Sequence, residues 1–167
     1  MRVILLAAFL FVSFCTVAQG KYAGPLVKRL IGKTYTGNRK IPGLPGYQFR
    51  QGSLVSALND PEQMMVEVLQ KGANFVVFFS VMTDTVKKIY SILDLLEIKN
   101  VAKGWQVRTT FCRRDTVDNV EIVALVKSSP NKDYLTEVKQ AWRFDRDKIR
   151  FLAIPVKGID CFNEGGD

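Results

Sequence analysis

The order of hydrophobic and polar positions predicts several β-strands in the chain. Residues 73–83 (ANFVVFFSVMT) carry no charge and are dense in β-branched and aromatic side chains, which is typical of a central strand covered on both faces. Residues 105–112 (WQVRTTFC) alternate apolar and polar positions, which predicts a half-buried strand followed by the polar turn RRDTVDN. Residues 121–127 and 148–162 predict two further strands, the last of which carries Cys161.

Two other segments favour helices. Residues 59–62 (Asn-Asp-Pro-Glu) resemble a helix cap followed by a proline and an acid in the first turn, and apolar residues within 64–69 then share one helical face. A strand that ends at the Lys71-Gly72 turn is the alternative there. Asp133 can cap a short helix over residues 134–142. Residues 86–98 suit a helix or a strand, and we favour a strand that pairs with 73–83 through a short turn.

These elements predict an α+β fold. We expect an antiparallel sheet of four to five strands with one or two helices packed on a face. The expected organisation is a signal peptide (1–20), a basic N-terminal segment (21–50) and a single domain (51–167).

The first twenty residues have the layout of a secretory signal peptide. Arg2 precedes an apolar run from Val3 to Val17, and Ala18 and Gly20 are the small residues expected before a cut after Gly20. The apolar run is shorter than the ~20 residues that span a bilayer, so an uncleaved anchor is the less favoured alternative. We therefore expect an exported protein, periplasmic or secreted, with no transmembrane segment in the mature chain.

Positive charge is concentrated near the start of the mature chain. The full chain has 24 Lys and Arg residues against 16 Asp and Glu residues, a formal net charge of +8. Residues 21–50 contain seven basic residues and no acid, whereas basic and acidic residues balance from residue 51 onward. The whole excess of the mature chain therefore lies in one short segment.

This basic segment is a candidate anion-binding site. Its candidate residues are Lys28, Arg29, Lys33, Arg39 and Lys40. An anionic envelope component or an acidic protein would suit them, while export argues against nucleic acid. The alternative, which we favour slightly, is a segment folded onto the body with its lysines in solvent, because apolar residues such as Leu26, Leu30, Ile31 and Leu44 give it something to bury.

The cysteines have two interpretations. Cys15 lies in the signal peptide, which leaves Cys112 and Cys161, 49 positions apart. An even pair in an exported domain predicts a structural disulfide. Cys112 precedes two arginines and could instead be a reactive thiol, but the chain has no CxxC motif and no histidine to activate it. We expect the disulfide, with Cα atoms at ~4.4–6.8 Å.

The C-terminal half resembles small exported bacterial proteins of unassigned function. The resemblance lies in EIVALVK and in AWRFDRDKIRFLAIPVKGIDCFNEG, together with the cysteine before them. It implies a periplasmic or secreted location and the pairing of Cys112 with Cys161. It carries over no catalytic residue.

The sequence offers little catalytic chemistry. The absence of histidine excludes serine–histidine and cysteine–histidine catalysis and the commonest zinc sites. Carboxylate chemistry remains open, through Asp145 with Asp147 or through Asp115, Asp118 and Glu121. We interpret these carboxylates as surface charges, because they lie on polar turns without the spacing of a calcium loop. We therefore expect no catalytic residue, no metal and no cofactor.

Three functions follow from these observations. We favour an exported, non-enzymatic binding or interaction domain of the cell envelope or the extracellular space. A carboxylate-based hydrolase that acts on a glycan is one alternative. A peripheral protein that binds anionic surfaces through the basic segment is the other.

Overall fold

The computed structural model describes residues 25–36, 41, 43–56 and 62–164, except for the side chains of residues 27 and 28. In these ranges one short helix, α1 (Pro25–Leu30), precedes thirteen strands. The strands are β1 (Thr34–Thr36), β2 (Gln48–Leu54), β3 (Met64–Lys71), β4 (Asn74–Asp84), β5 (Ile89–Ile98), β6 (Trp105–Thr109), β7 (Cys112–Arg114), β8 (Val117–Asp118), β9 (Ile122–Lys127), β10 (Tyr134–Leu135), β11 (Val138–Asp145), β12 (Arg150–Ile154) and β13 (Ile159–Phe162).

The strands form three antiparallel sheets. The five-stranded sheet has the order β1-β5-β4-β3-β2, and a middle sheet has the order β12-β11-β9-β6. The third sheet, β10-β13-β7-β8, contains both cysteines and is called the disulfide sheet below. The middle sheet lies between the other two.

The main core fills the space between the five-stranded and middle sheets. Val77 and Phe79 of β4 are fully buried there, as the uncharged run of residues 73–83 predicts. The rings of Phe79 and Phe144 stack across the two sheets with their centroids 3.6 Å apart. At one edge the Phe151 N–H of β12 donates to Asp94 Oδ2 of β5 at 2.6 Å, which joins the sheets laterally.

Strand β9 is buried on both faces because it is a central strand of the middle layer. Val123 and Leu125 contact the main core, while Ile122, Ala124 and Val126 contact the disulfide sheet. This is why EIVALVK is a continuous apolar run rather than an alternating one.

The N-terminal segment covers the opposite face of the five-stranded sheet. Leu30 and Leu44 are buried against Leu69 of β3, Phe78 of β4 and Leu95 of β5. Leu30 and Leu44 are thus buried as the alternative in which this segment folds onto the body expects, whereas the side chain of Ile31 is 43% exposed. Residue 50 lies inside β2, so the chain passes from the segment into the sheet without a break.

The α+β prediction is wrong, because strands make up most of the described chain and no helix of the predicted kind covers a face. Residues 64–71 are β3, since Val66 and Val68 face the main core while Leu69 faces the N-terminal segment. The proposed cap at 59–61 lies outside the described residues. The strand alternative at this position is the correct one.

The second predicted helix, 134–142, is also wrong. Leu135 pairs with Cys161 in the disulfide sheet, and Trp142 pairs with Val123 in the middle sheet. The apolar residues that share a helical face in the sequence therefore contact two different cores. The strand predictions for 73–83 and for 86–98 are confirmed by β4 and β5, with a turn at residues 85–88.

Candidate functional site

A cleft of about 760 Å³ lies where the N-terminal segment meets the five-stranded sheet. Its apolar lining includes Ile41, Leu44 and Tyr47 from the segment and Leu69 from β3. Arg29 of α1 contributes a guanidinium group to the same cleft. The volume is within the range of roughly 300–1,000 Å³ that is usual for small-molecule sites.

Two glycines shape the segment's side of the cleft. Gly43 and Gly46 have φ angles of 90° and 77°, a left-handed conformation that side chains other than glycine rarely adopt. The Leu44 N–H donates to Ile41 O and the Tyr47 N–H donates to Leu44 O, so the chain makes two successive turns. The sequence IPGLPGY thus gives a compact loop rather than a regular element.

Arg29 connects the helix to this loop. Its Nη2 donates to the Gly43 carbonyl oxygen at 2.7 Å, and the side chain stays exposed. A guanidinium group has five N–H donors, so this bond leaves donors that can face a ligand. Arg29 is therefore the candidate site residue that the structure places most clearly.

Lys71 is a cation next to the cleft that sequence reasoning missed, although it is not one of the lining residues. Its Nζ donates to the Pro45 carbonyl oxygen at 3.1 Å. A Cβ on Gly46 would lie 3.3 Å from Lys71 Nζ, so the ammonium group lies against the loop that forms one side of the cleft. The sequence signals only a turn at Lys71-Gly72; the loop at 43–47 and the end of the interior strand β3 must meet before this lysine comes near the cleft.

The other candidate anion-binding residues are only partly described. Lys33 is exposed between α1 and β1 and does not line the cleft. Arg39, Lys40 and the side chain of Lys28 lie outside the described residues. The structure therefore places Arg29, and not the full set of five, at the cleft.

A buried polar group lies on the same face of the five-stranded sheet. The carboxylate of Glu67 is on β3, in a residue only 4% exposed, and accepts a hydrogen bond from the Tyr35 hydroxyl. The Tyr35 oxygen is also 2.8 Å from Ser80 Oγ. Burial, followed by the charge of Glu67, raises the pKa of Tyr35 above its ordinary value, so this tyrosine stays a neutral donor at physiological pH.

The disulfide between Cys112 and Cys161 is present, as predicted. The two cysteines are directly opposite each other on β7 and β13, and both are fully buried. Their Cα atoms are 3.9 Å apart, closer than the expected range. The thiol interpretation of FCRRD therefore fails, and the arginines next to Cys112 belong to an ordinary strand.

Two of the carboxylates considered for catalysis, Asp145 and Glu121, are paired with basic side chains. Asp145 accepts hydrogen bonds from the N–H and the Nζ of Lys148, which lowers its pKa, whereas a general acid needs a raised one. Glu121 lies near Arg146, at the start of β9. Within the part of the chain that the structure describes, no three acidic or cysteine side chains gather as a metal site.

Comparison with known proteins adds no family. No family model, curated protein or solved structure matches this chain. Among the described residues, no helix has the length and apolar character needed to cross a bilayer.

Proposed function

We propose that this protein is an exported binding domain without enzymatic activity, whose ligand has an anionic head and an apolar body. The observation that carries the proposal is the cleft, in which the Arg29 guanidinium and an apolar wall of Ile41, Leu44 and Leu69 occur together. Neither feature alone would select such a ligand.

The two parts of the cleft suit the two parts of the ligand. Arg29 can donate charge-assisted hydrogen bonds, which are the stronger kind, to a carboxylate or phosphate, and Lys71 adds positive charge beside the cleft. The apolar wall can cover a hydrocarbon body and exclude water from it. The segment's surplus of seven basic residues with no acid raises the local concentration of anions around the opening.

The proposed export rests on the signal-like sequence of residues 1–20, and a buried disulfide is compatible with it. Periplasmic or extracellular location after cleavage near Gly20 belongs to the same proposal. An anionic lipid component of the envelope is the partner class that unites location and cleft chemistry.

Calorimetry with single-chain amphiphiles tests this function. We would titrate the purified protein with decanoate, decanol and decylammonium, each below its micelle concentration. We expect the protein to bind decanoate with the highest affinity, decanol much more weakly and decylammonium most weakly. Only decanoate has both an anionic head for Arg29 and an apolar body for the apolar wall. Replacing Arg29→Gln should weaken decanoate binding about tenfold, which is the usual effect of one charge-assisted hydrogen bond.

Lys157→Gln is the matched control, since it removes the same charge from an exposed turn that does not line the cleft. Arg29→Lys keeps the charge but loses the planar fork, and its affinity for decanoate should fall between those of wild type and Arg29→Gln. Equal affinity for decanoate and decanol would overturn the proposal. Binding to anionic vesicles without binding to monomeric decanoate would overturn it in favour of a peripheral surface protein.

A further inference from the structure

Two aromatic side chains are exposed at the outer face of the disulfide sheet. Phe111 is 49% exposed and Phe162 is 42% exposed. The Phe162 N–H of β13 donates at 2.8 Å to the carbonyl oxygen of Phe111, the residue that precedes β7. The two side chains therefore extend from neighbouring backbone segments, roughly 5 Å apart.

The disulfide explains why both rings point outward. Cys112 and Cys161 face the middle sheet and are fully buried. Because side chains alternate along a strand, Phe162, which follows Cys161 in β13, faces the opposite side, and Phe111, which precedes β7, is exposed as well. The disulfide therefore fixes the relative position of the two backbone segments that carry Phe111 and Phe162.

Polar groups with fixed positions lie beside the rings. The Tyr134 ring is 5.6 Å from the Phe162 ring, and the Arg113 guanidinium lies 3.5 Å from the Tyr134 centroid. Arg113 also pairs with Asp160 through two hydrogen bonds, Nε to Oδ1 at 2.5 Å and Nη2 to Oδ2 at 3.2 Å. Both side chains are partly exposed, so donors and acceptors are available next to an apolar surface.

Charge and size indicate the class of ligand. Arg113 is neutralised by Asp160 and lies opposite Asp118 in the strand register, so it gives this face no positive charge with which to attract a polyanion. A large aromatic side chain presents roughly 150–250 Å², and two half-exposed rings offer about one such area. That is far below the roughly 800 Å² per partner of a stable protein interface, so the ligand is small.

A sugar ring meets these requirements. Its face of C–H groups is weakly positive and fits the negative face of an aromatic ring. Its hydroxyls can accept from arginine and donate to aspartate at the same time. Its lack of charge suits a surface whose own charges are already paired.

We propose that the outer face of the disulfide sheet binds a neutral oligosaccharide, with Phe111 and Phe162 stacking on sugar rings and the Arg113–Asp160 pair bonding hydroxyl groups. This site is independent of the cleft at Arg29. It needs no catalytic group, and it gives a role to two apolar side chains that the core leaves in solvent.

Titration calorimetry with three neutral hexasaccharides tests the site: chitohexaose, cellohexaose and maltohexaose. We expect at least one to bind the wild-type protein, and Phe162→Ala or Phe111→Ala to weaken that binding at least tenfold. Phe162→Tyr should retain it, because the ring face remains. Val86→Ala, at an exposed valine in the turn at 85–88, is the control and should bind as wild type does.

Three results would overturn the proposal. One is that none of the three sugars binds, and another is that binding survives both alanine substitutions. The third is a dimer in sedimentation experiments that Phe162→Ala dissociates, which would make this face an interface between copies of the chain. The melting temperatures of the variants establish that each is folded. If binding survives both alanine substitutions and is lost in Arg29→Gln, the sugar binds in the cleft instead.

Discussion

Tyr35 and Glu67 hydrogen-bond to each other beneath the N-terminal segment, although 32 positions separate them in the chain. Tyr35 is on the edge strand β1, and its ring passes over Tyr90 of β5 and Phe78 of β4 to reach β3. The single hydroxyl hydrogen of Tyr35 goes to the carboxylate, so Ser80 donates to the Tyr35 oxygen. The N-terminal segment is thus connected to the sheet by a polar contact as well as by apolar packing.

Tyr35→Phe should destabilise the fold by about 1–3 kcal/mol, because a buried carboxylate loses one of its donors. Urea unfolding at neutral pH measures this. Tyr134→Phe, on the half-buried outer face of the disulfide sheet, is the matched control and should change the free energy of unfolding less. Equal effects of the two substitutions would contradict a structural role for the Tyr35 hydroxyl.

Cys112→Ser and Cys161→Ser should destabilise the protein to similar degrees, since either removes the same bond. Release of a 49-residue loop costs about 4 kcal/mol in the chain-entropy model. Chemical unfolding of both variants, compared with the reduced wild type, provides the measurement. Two free thiols in protein recovered from the exported fraction would refute the pairing.

Val77→Lys should abolish folding or cost several kcal/mol, because Val77 is 0% exposed in the main core and an ammonium group there would have no solvent. Val86→Lys makes the same replacement in a turn where the side chain is 91% exposed, and should be nearly neutral. Thermal melts of the two variants compare them directly. If Val77→Lys and Val86→Lys have the same melting temperature, β4 is not a core strand.

Asp94 gives a pH dependence with a definite sign. Burial raises its pKa above the ordinary aspartate value, although hydrogen bonds from Phe151 and Leu95 oppose the shift. A raised pKa means that the contribution of Asp94 to stability is fully present below about pH 4 and is lost as the pH rises through the folded-state pKa. Asp94→Asn stays neutral and keeps an oxygen for the Phe151 N–H, so its stability relative to wild type should improve between pH 3.5 and pH 7.

Urea unfolding of Asp94→Asn and wild type at these two pH values makes the test. Taking the difference between the two proteins cancels the pH dependence that comes from the carboxylates they share. A stability difference that stays constant, or that moves against the variant as the pH rises, would contradict a raised pKa at Asp94.

The sequence predicts those parts of the fold in which neighbouring residues share an environment. The uncharged run around Val77 is a central strand in the structure, and the even pair of cysteines is a disulfide. Residues 134–142 mislead because Leu135 and Trp142 fit one helical face in the sequence but contact separate cores on either side of the middle sheet. An apolar pattern with a period of 3.6 residues therefore does not distinguish a helix with one apolar face from strands whose apolar residues contact two cores.

The candidate sites depend on contacts that the sequence does not reveal. The cleft joins Arg29, Ile41 and the loop at 43–47 to Leu69 on a distant strand. Phe111 fits the inward face of the alternating strand at 105–112 in the sequence, yet it is exposed. The left-handed backbone of Thr110, with φ of 64°, separates β6 from β7 just before it and so breaks the alternation. Only the folded chain shows either arrangement.

The central claim, that the N-terminal segment forms a cleft for an anionic ligand, is tested most directly by nuclear magnetic resonance. Decanoate is titrated into ¹⁵N-labelled protein and the amide shifts are followed residue by residue. We predict the largest changes at Gly43, Leu44, Gly46 and Tyr47, and their loss in Arg29→Gln. Shift changes confined to other surfaces, or the same changes with decylammonium, would contradict the account.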